Sequence, residues 1–400
     1  MRVIKYILLS LLFIPKVFAQ NVMTSSPYSM FGLGEMASGL YGQNVAMGGV
    51  AYGMRNPLLI NTGNPAGLTG VDTCRLLAEV SVFLKKEHYK SGGNSNDAFT
   101  GNVSAITLGG RIIPCWYAAV GITPYSSVGY YFKSTQPLEG TSASEVNSLF
   151  EGDGGLSKAG LTHAILLPGH FSIGINLNYI FGNLSQTETQ DVMSVKQKMH
   201  TQSFYADFGL QHQRRLSRQM QVTLGAVYGY KQRLKIENAL TLITGSSETE
   251  INKKKINQYL PQFIGIGGAL QYKQWTYALD YTLREYHVLT SGDSRIKFAD
   301  THELRTGVSY LPTTYPSEGY WKRIIYKAGI TTSTSNYDIS GKSGLIWRVG
   351  IGIGLPVQNG QVNAAFFYDR LQMQGNALRR NMIGFTISYT LSEHFYKAKL

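Results

Sequence analysis

The sequence predicts an all-β fold: a transmembrane antiparallel β-barrel of about 14 strands with an N-terminal plug. Three observations predict it. Apolar residues recur at every second position over most of the chain, which is the period of a sheet and not of a helix. Beyond the first segment there is no run of ~18 or more apolar residues able to form a spanning helix. The first segment itself has the layout of a secretory leader.

Arg2 and Lys5 form the positive region of that leader, Ile7 to Ile14 its apolar stretch, and Val17-Phe18-Ala19 its small-residue exit site. Cleavage is expected after Ala19, so residues 1–19 are a signal peptide. The apolar stretch is too short for an anchor, because a spanning helix needs ~20 apolar residues. No Cys follows the cut, which argues against a lipid-anchored N-terminus. The expected location is the outer membrane of a Gram-negative cell.

Residues 73–400 are expected to be the barrel. Val222, Leu224, Ala226, Tyr228 and Tyr230 alternate with Gln221, Thr223, Gly225, Val227 and Gly229. Phe171, Ile173, Ile175, Leu177, Tyr179 and Phe181 alternate with Ser172, Gly174, Asn176 and Asn178, and Trp275, Tyr277, Leu279 and Tyr281 with Thr276, Ala278, Asp280 and Thr282. One face is oily and rich in Tyr, the other small and polar, as a wall between lipid and a wet lumen requires. Strands are expected at 73–90, 99–113, 115–134, 159–168, 170–187, 195–214, 219–236, 256–272, 273–287, 300–313, 321–336, 343–356, 361–373 and 379–391. Longer polar loops are expected at 91–98, 135–158, 188–194, 237–255, 288–299 and 337–342, with a short helix at Ser144–Glu151. Tight turns follow most even strands, and that asymmetry is the outer-membrane pattern. Trp116, Trp275 and Trp321 each open an upward strand and would share one aromatic rim; Trp347 does not fit it.

Composition agrees with a membrane wall. Charged residues are 15% against 26 Tyr and 44 Gly, where soluble proteins average about 25% charged. The formal net charge is +13, but the basic residues are scattered and no helix gathers them for nucleic acid. Outer-membrane lipid is the expected partner of that charge, and no nucleic acid is implied. Cys74 and Cys115 are the two cysteines; they fall two strands apart, about 10 Å at ~4.8 Å per strand, and are expected as free thiols. Met382, Gly384, Ile387 and Tyr389 on the last strand are similar to the signal that barrel-assembly machinery reads during biogenesis.

Residues 20–72 differ. They are rich in glycine and small residues and show no strand-length alternation. Alone they lack a core. Inside a barrel, which at about fourteen strands is too wide for its own side chains to fill, they would form a plug. The run Gln43-Asn44-Val45-Ala46-Met47-Gly48-Gly49-Val50, followed by Asn64-Pro65-Ala66-Gly67-Leu68, resembles the hatch of the FadL-like long-chain fatty-acid and hydrophobic-compound transporters. The opening Ser26-Pro27-Tyr28-Ser29-Met30-Phe31-Gly32-Leu33-Gly34 looks like a Bacteroidetes-type branch of that family. Where the family often carries an acidic-small pair, Arg55-Asn56-Pro57 stands here.

The resemblance implies passive uptake of a hydrophobic, fatty-acid-like small molecule, with exit sideways into the membrane near a kinked third strand. In this chain Gly121, Thr123 and Pro124 are the matching candidates for a lateral gate. Proline cannot donate to a strand ladder, so Pro124 implies a break in pairing; the alternative is that it sits in a turn between two strands. Asp207, Asp280, Arg284, Glu303, Arg305, Arg348 and Asp369 fall on the inferred lumen face. Such charges form wall ion pairs or hold a plug, or one Arg grips a carboxylate head group in bidentate fashion.

Enzyme chemistry has little support. His88, His163, His170, His200, His212, His287, His302 and His394 show no metal-ligand spacing. No Ser-His-acid set is apparent, and Gly32, Gly34 and Gly39 lack the flanking strand and helix of a dinucleotide site. No cofactor, metal or catalytic residue is expected. Two further non-enzymatic roles stay open: a component of a protein secretion or surface-attachment system, and an open porin, which the plug-like segment fits poorly.

Overall fold

The computed structural model describes residues 26–37, 39, 41–91, 94–137, 145–245, 247–289, 296–313, 315, 317, 319–376 and 378–394. The leader, residues 1–19, lies outside them. Fourteen antiparallel strands close into a barrel. They are β1 Arg75–Ser91, β2 Asn94–Ile113, β3 Trp116–Ser127 continued as Tyr130–Pro137, β4 Glu145–Leu166, β5 Phe171–Gln190, β6 Met193–Ser217 and β7 Met220–Gly229 continued as Gln232–Thr244. Then come β8 Ser247–Leu260 continued as Phe263–Tyr272, β9 Trp275–Arg284, β10 Thr301–Tyr310, β11 Ile325–Thr334, β12 Gly344–Val357, β13 Gly360–Met373 and β14 Arg379–His394. Closure is made by β1 and β14, which pair from Arg75↔His394 to Lys90↔Arg379. Closure joins the first and last strands, so the sheet has no terminal edge strand, the condition for a sheet to span a membrane.

The two faces follow the alternation. On β6, Phe204, Phe208 and Leu210 are exposed, while Thr201, Ser203, Tyr205, Asp207 and Gln211 between them are buried. On β9, Trp275, Tyr277, Leu279 and Tyr281 face outward and Asp280 and Thr282 inward. Trp116 opens β3, Trp275 opens β9, and Trp321 sits in a turn of 3-10 helix, Tyr320–Arg323, just before β11. Trp275 packs 4.5 Å from Tyr310, and Trp116 stacks on His163 at 5.6 Å. Trp347 sits at the opposite end, against Tyr368. On the last strand Ile383, Phe385, Ile387 and Tyr389 point outward, whereas Met382 is buried. Cys74 and Cys115 are free and exposed.

The strands are longer than the sequence suggests. β4 has 22 residues, β5 20 and β6 25, where a tilted crossing takes about 9–11. Most of the long loops expected at 135–158 and 237–255 are therefore strand. Residues 145–151 belong to β4, so the short helix expected at Ser144–Glu151 is absent there; Ser144 lies outside the described residues. Above the hydrocarbon the outer face of these hairpins is wet, and on Ser247–Leu260 nearly every residue is exposed. A strand with two wet faces carries no hydrophobic period, so its sequence does not announce it. The connections 285–300 and 335–343 remain long, and cross-pair through Ile296–Phe298 and Tyr337–Ile339.

Residues 41–72 lie within the barrel, buried for most of their length. Two short 3-10 helices order them, Gly42–Met47 and Pro65–Gly70. The first ends at Gly48, whose φ of 68° is open to glycine, and whose N–H returns to the carbonyls of Asn44 and Val45. Asn64 caps the second, its side chain accepting from the Ala66 N–H at 3.1 Å, with Pro65 in the first turn. The wall makes room by omitting side chains. A Cβ on Gly174 would fall 2.5 Å from the Pro65 backbone, and one on Gly307 2.7 Å from the Met47 side chain. Gly209, Gly225 and Gly329 are filled in the same way by Asn64, Tyr52 and Met47.

Gly329→Val should therefore overpack the contact with Met47 and cost about 1–3 kcal/mol. The readout is the temperature at which the folded band is lost in heat-modifiability gels. It should drop by several degrees, while outward-facing Ile330→Val stays near wild type.

Candidate functional site

The site grows from an irregularity in the wall. β2 and β3 are paired from Ile113↔Trp116 only as far as Ile106↔Ile122. Beyond Ile122, β3 turns its edge to the inner segment, where Glu35 pairs with Ser127 and Met36 with Ser126. The Ala37 N–H donates to the Tyr125 carbonyl at 2.9 Å. On its other edge β3 stays with β4, but the register slips between Pro124 and Ser126. Pro124 lies inside Trp116–Ser127, not in a turn; the strand pauses only at residues 128–129. Gly121 still pairs with Thr107, and Thr123 is the first β3 residue past the last β2 pair. The upper half of β2, from Asn94 to Ala105, keeps β1 alone as a partner.

Behind this gap lies a cavity of about 310 Å³. Thr123, Pro124, Ser126 and Ser127 border it on the gap side, with Phe83, Lys85 and Ser104 across from them. Its apolar wall includes Phe31, Met36, Tyr286, Phe298, Phe367 and Met382; its polar wall includes Arg284, Glu303, Arg305, Arg348, Asp369 and Arg380. The lining is amphiphilic, combining rings and two methionines with charges.

The structure assigns the seven inward charges to different tasks. Asp280 accepts the backbone N–H groups of Ala51 at 2.6 Å and Tyr52 at 2.9 Å. Arg305 is ion-paired with Glu303 at 2.7 Å and donates to the Gly49 carbonyl at 3.2 Å. Asp207 accepts from Asn176 at 2.6 Å and Asn178 at 3.0 Å, and Asn176 in turn donates to the Thr62 carbonyl. Asp369 bridges Arg348 and Arg380, each at 3.0 Å, and Arg380 reaches Glu35 of the inner segment at 2.7 Å. Arg284 differs from the rest. Its guanidinium packs 4.8 Å from the centre of the Phe263 ring and lines the cavity. It forms no hydrogen bond or ion pair with any described residue.

The Asn64–Leu68 motif lies against β5 and β6. Asn64 donates to the Tyr52 carbonyl at 2.8 Å and the Leu210 carbonyl at 3.2 Å, and Gln211 donates to the same Tyr52 carbonyl at 2.8 Å. Ala66 and Leu68 are fully buried, and a Cβ on Gly67 would meet the Asn61 side chain at 2.6 Å. Arg55 donates to the Thr69 carbonyl and to Ser172 at 3.0 Å each.

Several residues of this network escaped the sequence reading: Glu35, Glu79, Lys85, Glu87, Lys327 and Arg380. Lys327 donates to the Gln43 carbonyl at 3.1 Å and to Asn363 at 2.9 Å, and Lys85 pairs with Glu87 at 3.1 Å. A signal existed on β1, where Glu79, Ser81, Lys85 and Glu87 alternate with Val80, Val82 and Leu84. Among the described residues no three His, Cys, Asp or Glu converge on a point that would hold a metal ion.

A family model described as BamG matches residues 2–400. No curated protein matches the chain. Among solved structures, a Pseudomonas aeruginosa FadL homologue superposes with a TM-score of 0.60 at 12% identity, covering 91% of this chain and 100% of its own. The Pseudomonas putida toluene transporter TodX gives 0.59 at 14% identity, covering 90% and 98%. The CymD monoaromatic hydrocarbon channel gives 0.53 at 13% identity, covering 92% and 100%. The fold is that of these proteins, which include a transporter and a channel.

If Asp280 anchors the inner segment, Asp280→Ala strands two buried N–H donors at a cost of about 1–3 kcal/mol. Protease cleavage within residues 41–72 and bilayer conductance should both rise. Asp280→Asn, which keeps an acceptor oxygen, should stay close to wild type.

Proposed function

The chain belongs to the BamG family, and we propose that it works as a passive outer-membrane channel for hydrophobic and amphiphilic compounds, taken into the lumen and released sideways between β2 and β3. The observation that carries this reading is that the unzipped edge of β3 and the amphiphilic cavity share residues: Thr123, Pro124, Ser126 and Ser127 belong to both. A compound in the cavity thus lies behind a stretch of wall where the consecutive strands β2 and β3 do not bond. Residues 1–19 serve as the export leader, and residues 20–72 as the plug that denies a straight water path. The toluene transporter TodX and the monoaromatic hydrocarbon channel CymD, whose descriptions name hydrophobic compounds, support the same substrate class.

Within that reading Arg284 is the residue that takes an anionic head group. It is the cavity guanidinium whose hydrogen-bonding capacity is not used by a described neighbour, and a carboxylate would meet it in a fork-to-fork geometry. Phe263 holds its plane from one side.

A second reading is a non-enzymatic part of a secretion, surface-attachment or barrel-assembly system. The Bam prefix of the family description points that way. So does the tall rim made by β4 to β8, which far exceeds the needs of a pore.

Extraction of the purified protein followed by mass spectrometry should release lipid-like ligand. An empty lumen together with pull-down of a secretion or assembly partner would select the second reading. Arg284→Ala should weaken binding of a long-chain carboxylate by roughly 10- to 100-fold, the worth of a charge-assisted hydrogen bond, and leave toluene binding unchanged. Pro124→Thr restores a donor to the ladder and should slow uptake of both. Deleting residues 20–72 should raise conductance.

A further inference from the structure

The outward face of the projecting hairpins carries a pattern that neither a pore nor a lumenal site requires. β6, β7 and β8 pair in known register above the apolar belt. Ala239 of β7 stands between Lys253 of β8 and Lys198 of β6, and Glu237 stands between Lys255 and His200. Two rows nearer the membrane, Lys235 pairs with Asn257 and Arg233 with Tyr259. These positions point away from the lumen, because the alternate ones, Leu234, Ile236, Leu260 and Thr201, are buried inside.

The rows lie about 7 Å apart and the strands about 4.8 Å apart. Five cations, Arg233, Lys198, Lys235, Lys253 and Lys255, therefore share one face of a three-strand ribbon. Glu237 is the acidic residue among them; it holds Lys255 at 3.6 Å in an exposed pair. Glu250 and Glu248 follow only in the rows farther up, opposite Thr241 and Ile243.

What lies beneath this patch sets its height. Tyr179 and Phe181 stack at 5.7 Å, Phe204 packs 5.0 Å from Tyr179, and Phe204 is 73% exposed to the outside. Lys231 sits 4.6 Å from the centre of the Tyr259 ring. Aromatic rings of this kind mark the boundary between hydrocarbon and head groups. The cations begin directly above that collar, at the depth of lipid phosphates.

We infer that this face of β6–β8 is a binding site for the phosphorylated glycolipid of the outer leaflet, its acyl chains against Phe204, Tyr179 and Phe181 and its phosphates on Arg233, Lys235, Lys253, Lys255 and Lys198. The charge sign is complementary. The spread of cations over two strand spacings, about 10 Å, suits a lipid with two phosphates on a sugar backbone better than one with a single phosphate. Each cation near an anionic surface contributes about 1 kcal/mol at physiological salt and less as salt rises.

The test uses the full purified chain in detergent, with native mass spectrometry of bound bisphosphorylated lipid A. The variant Lys198→Ala/Lys235→Ala/Lys253→Ala/Lys255→Ala should retain at least roughly tenfold less lipid A. The four-fold Lys→Arg variant should match wild type. Arg214→Ala/Arg215→Ala/Arg218→Ala, at the short-turn end of β6 and β7, should also match it. Heat-modifiability confirms that each variant is folded. Equal retention by the four-fold Ala variant would overturn the site. So would equal binding of dephosphorylated lipid A, or displacement of lipid A by an equimolar amount of phosphatidylglycerol.

Discussion

Hydrocarbon offers no partner to a peptide group, so every N–H and C=O of a spanning wall must be bonded within the protein. The whole architecture follows from that demand, including the seam between β2 and β3. Where β3 leaves β2 at Ile122, a wall built from consecutive strands would expose an open edge. The chain meets the demand by bringing residues 35–37 up to that edge from inside. The opening therefore exists only because a segment distant in sequence closes the hydrogen-bond account on its inner side. Wall and inner segment form a single bonded system.

Space and charge extend the same dependence. Glycines on β5, β6, β7, β10 and β11 leave hollows that atoms of residues 47–66 occupy. Charged groups then fix the segment at points around the ring: Asp280 and Arg305 on one side, Lys327 and Arg380 on another. These four buried charges are tolerable because each is paired or hydrogen-bonded, as low-dielectric surroundings require. Against that background, an Arg284 resting on Phe263 with its donors turned to a cavity is an exception with a chemical meaning.

Much of the barrel was legible in the residues. Period-two alternation on β5, β7 and β9 located both faces, and the inward position of Asp280 follows from it. Pro124 was legible as a break because its missing donor is a local property. The upper hairpins were not. Ser247–Leu260 is exposed on both sides almost throughout, so it shows no period, and only pairing with Gln232–Thr244 makes it a strand. The anchoring of the inner segment was not legible either. Nothing near Glu35 in sequence points to Arg380, and the two 3-10 helices are too short to announce themselves by pattern. Their form is imposed by the wall.

The Glu35–Arg380 pair joins positions 345 apart, and β1 finds its second neighbour only in β14. Loop closure on that scale makes for slow assembly. A nascent chain halted before Arg379 holds a β1 bonded on one side only and a Glu35 without its guanidinium. Until synthesis is all but finished, the first residues to emerge have no settled home, and the last strand is the clasp that gives them one.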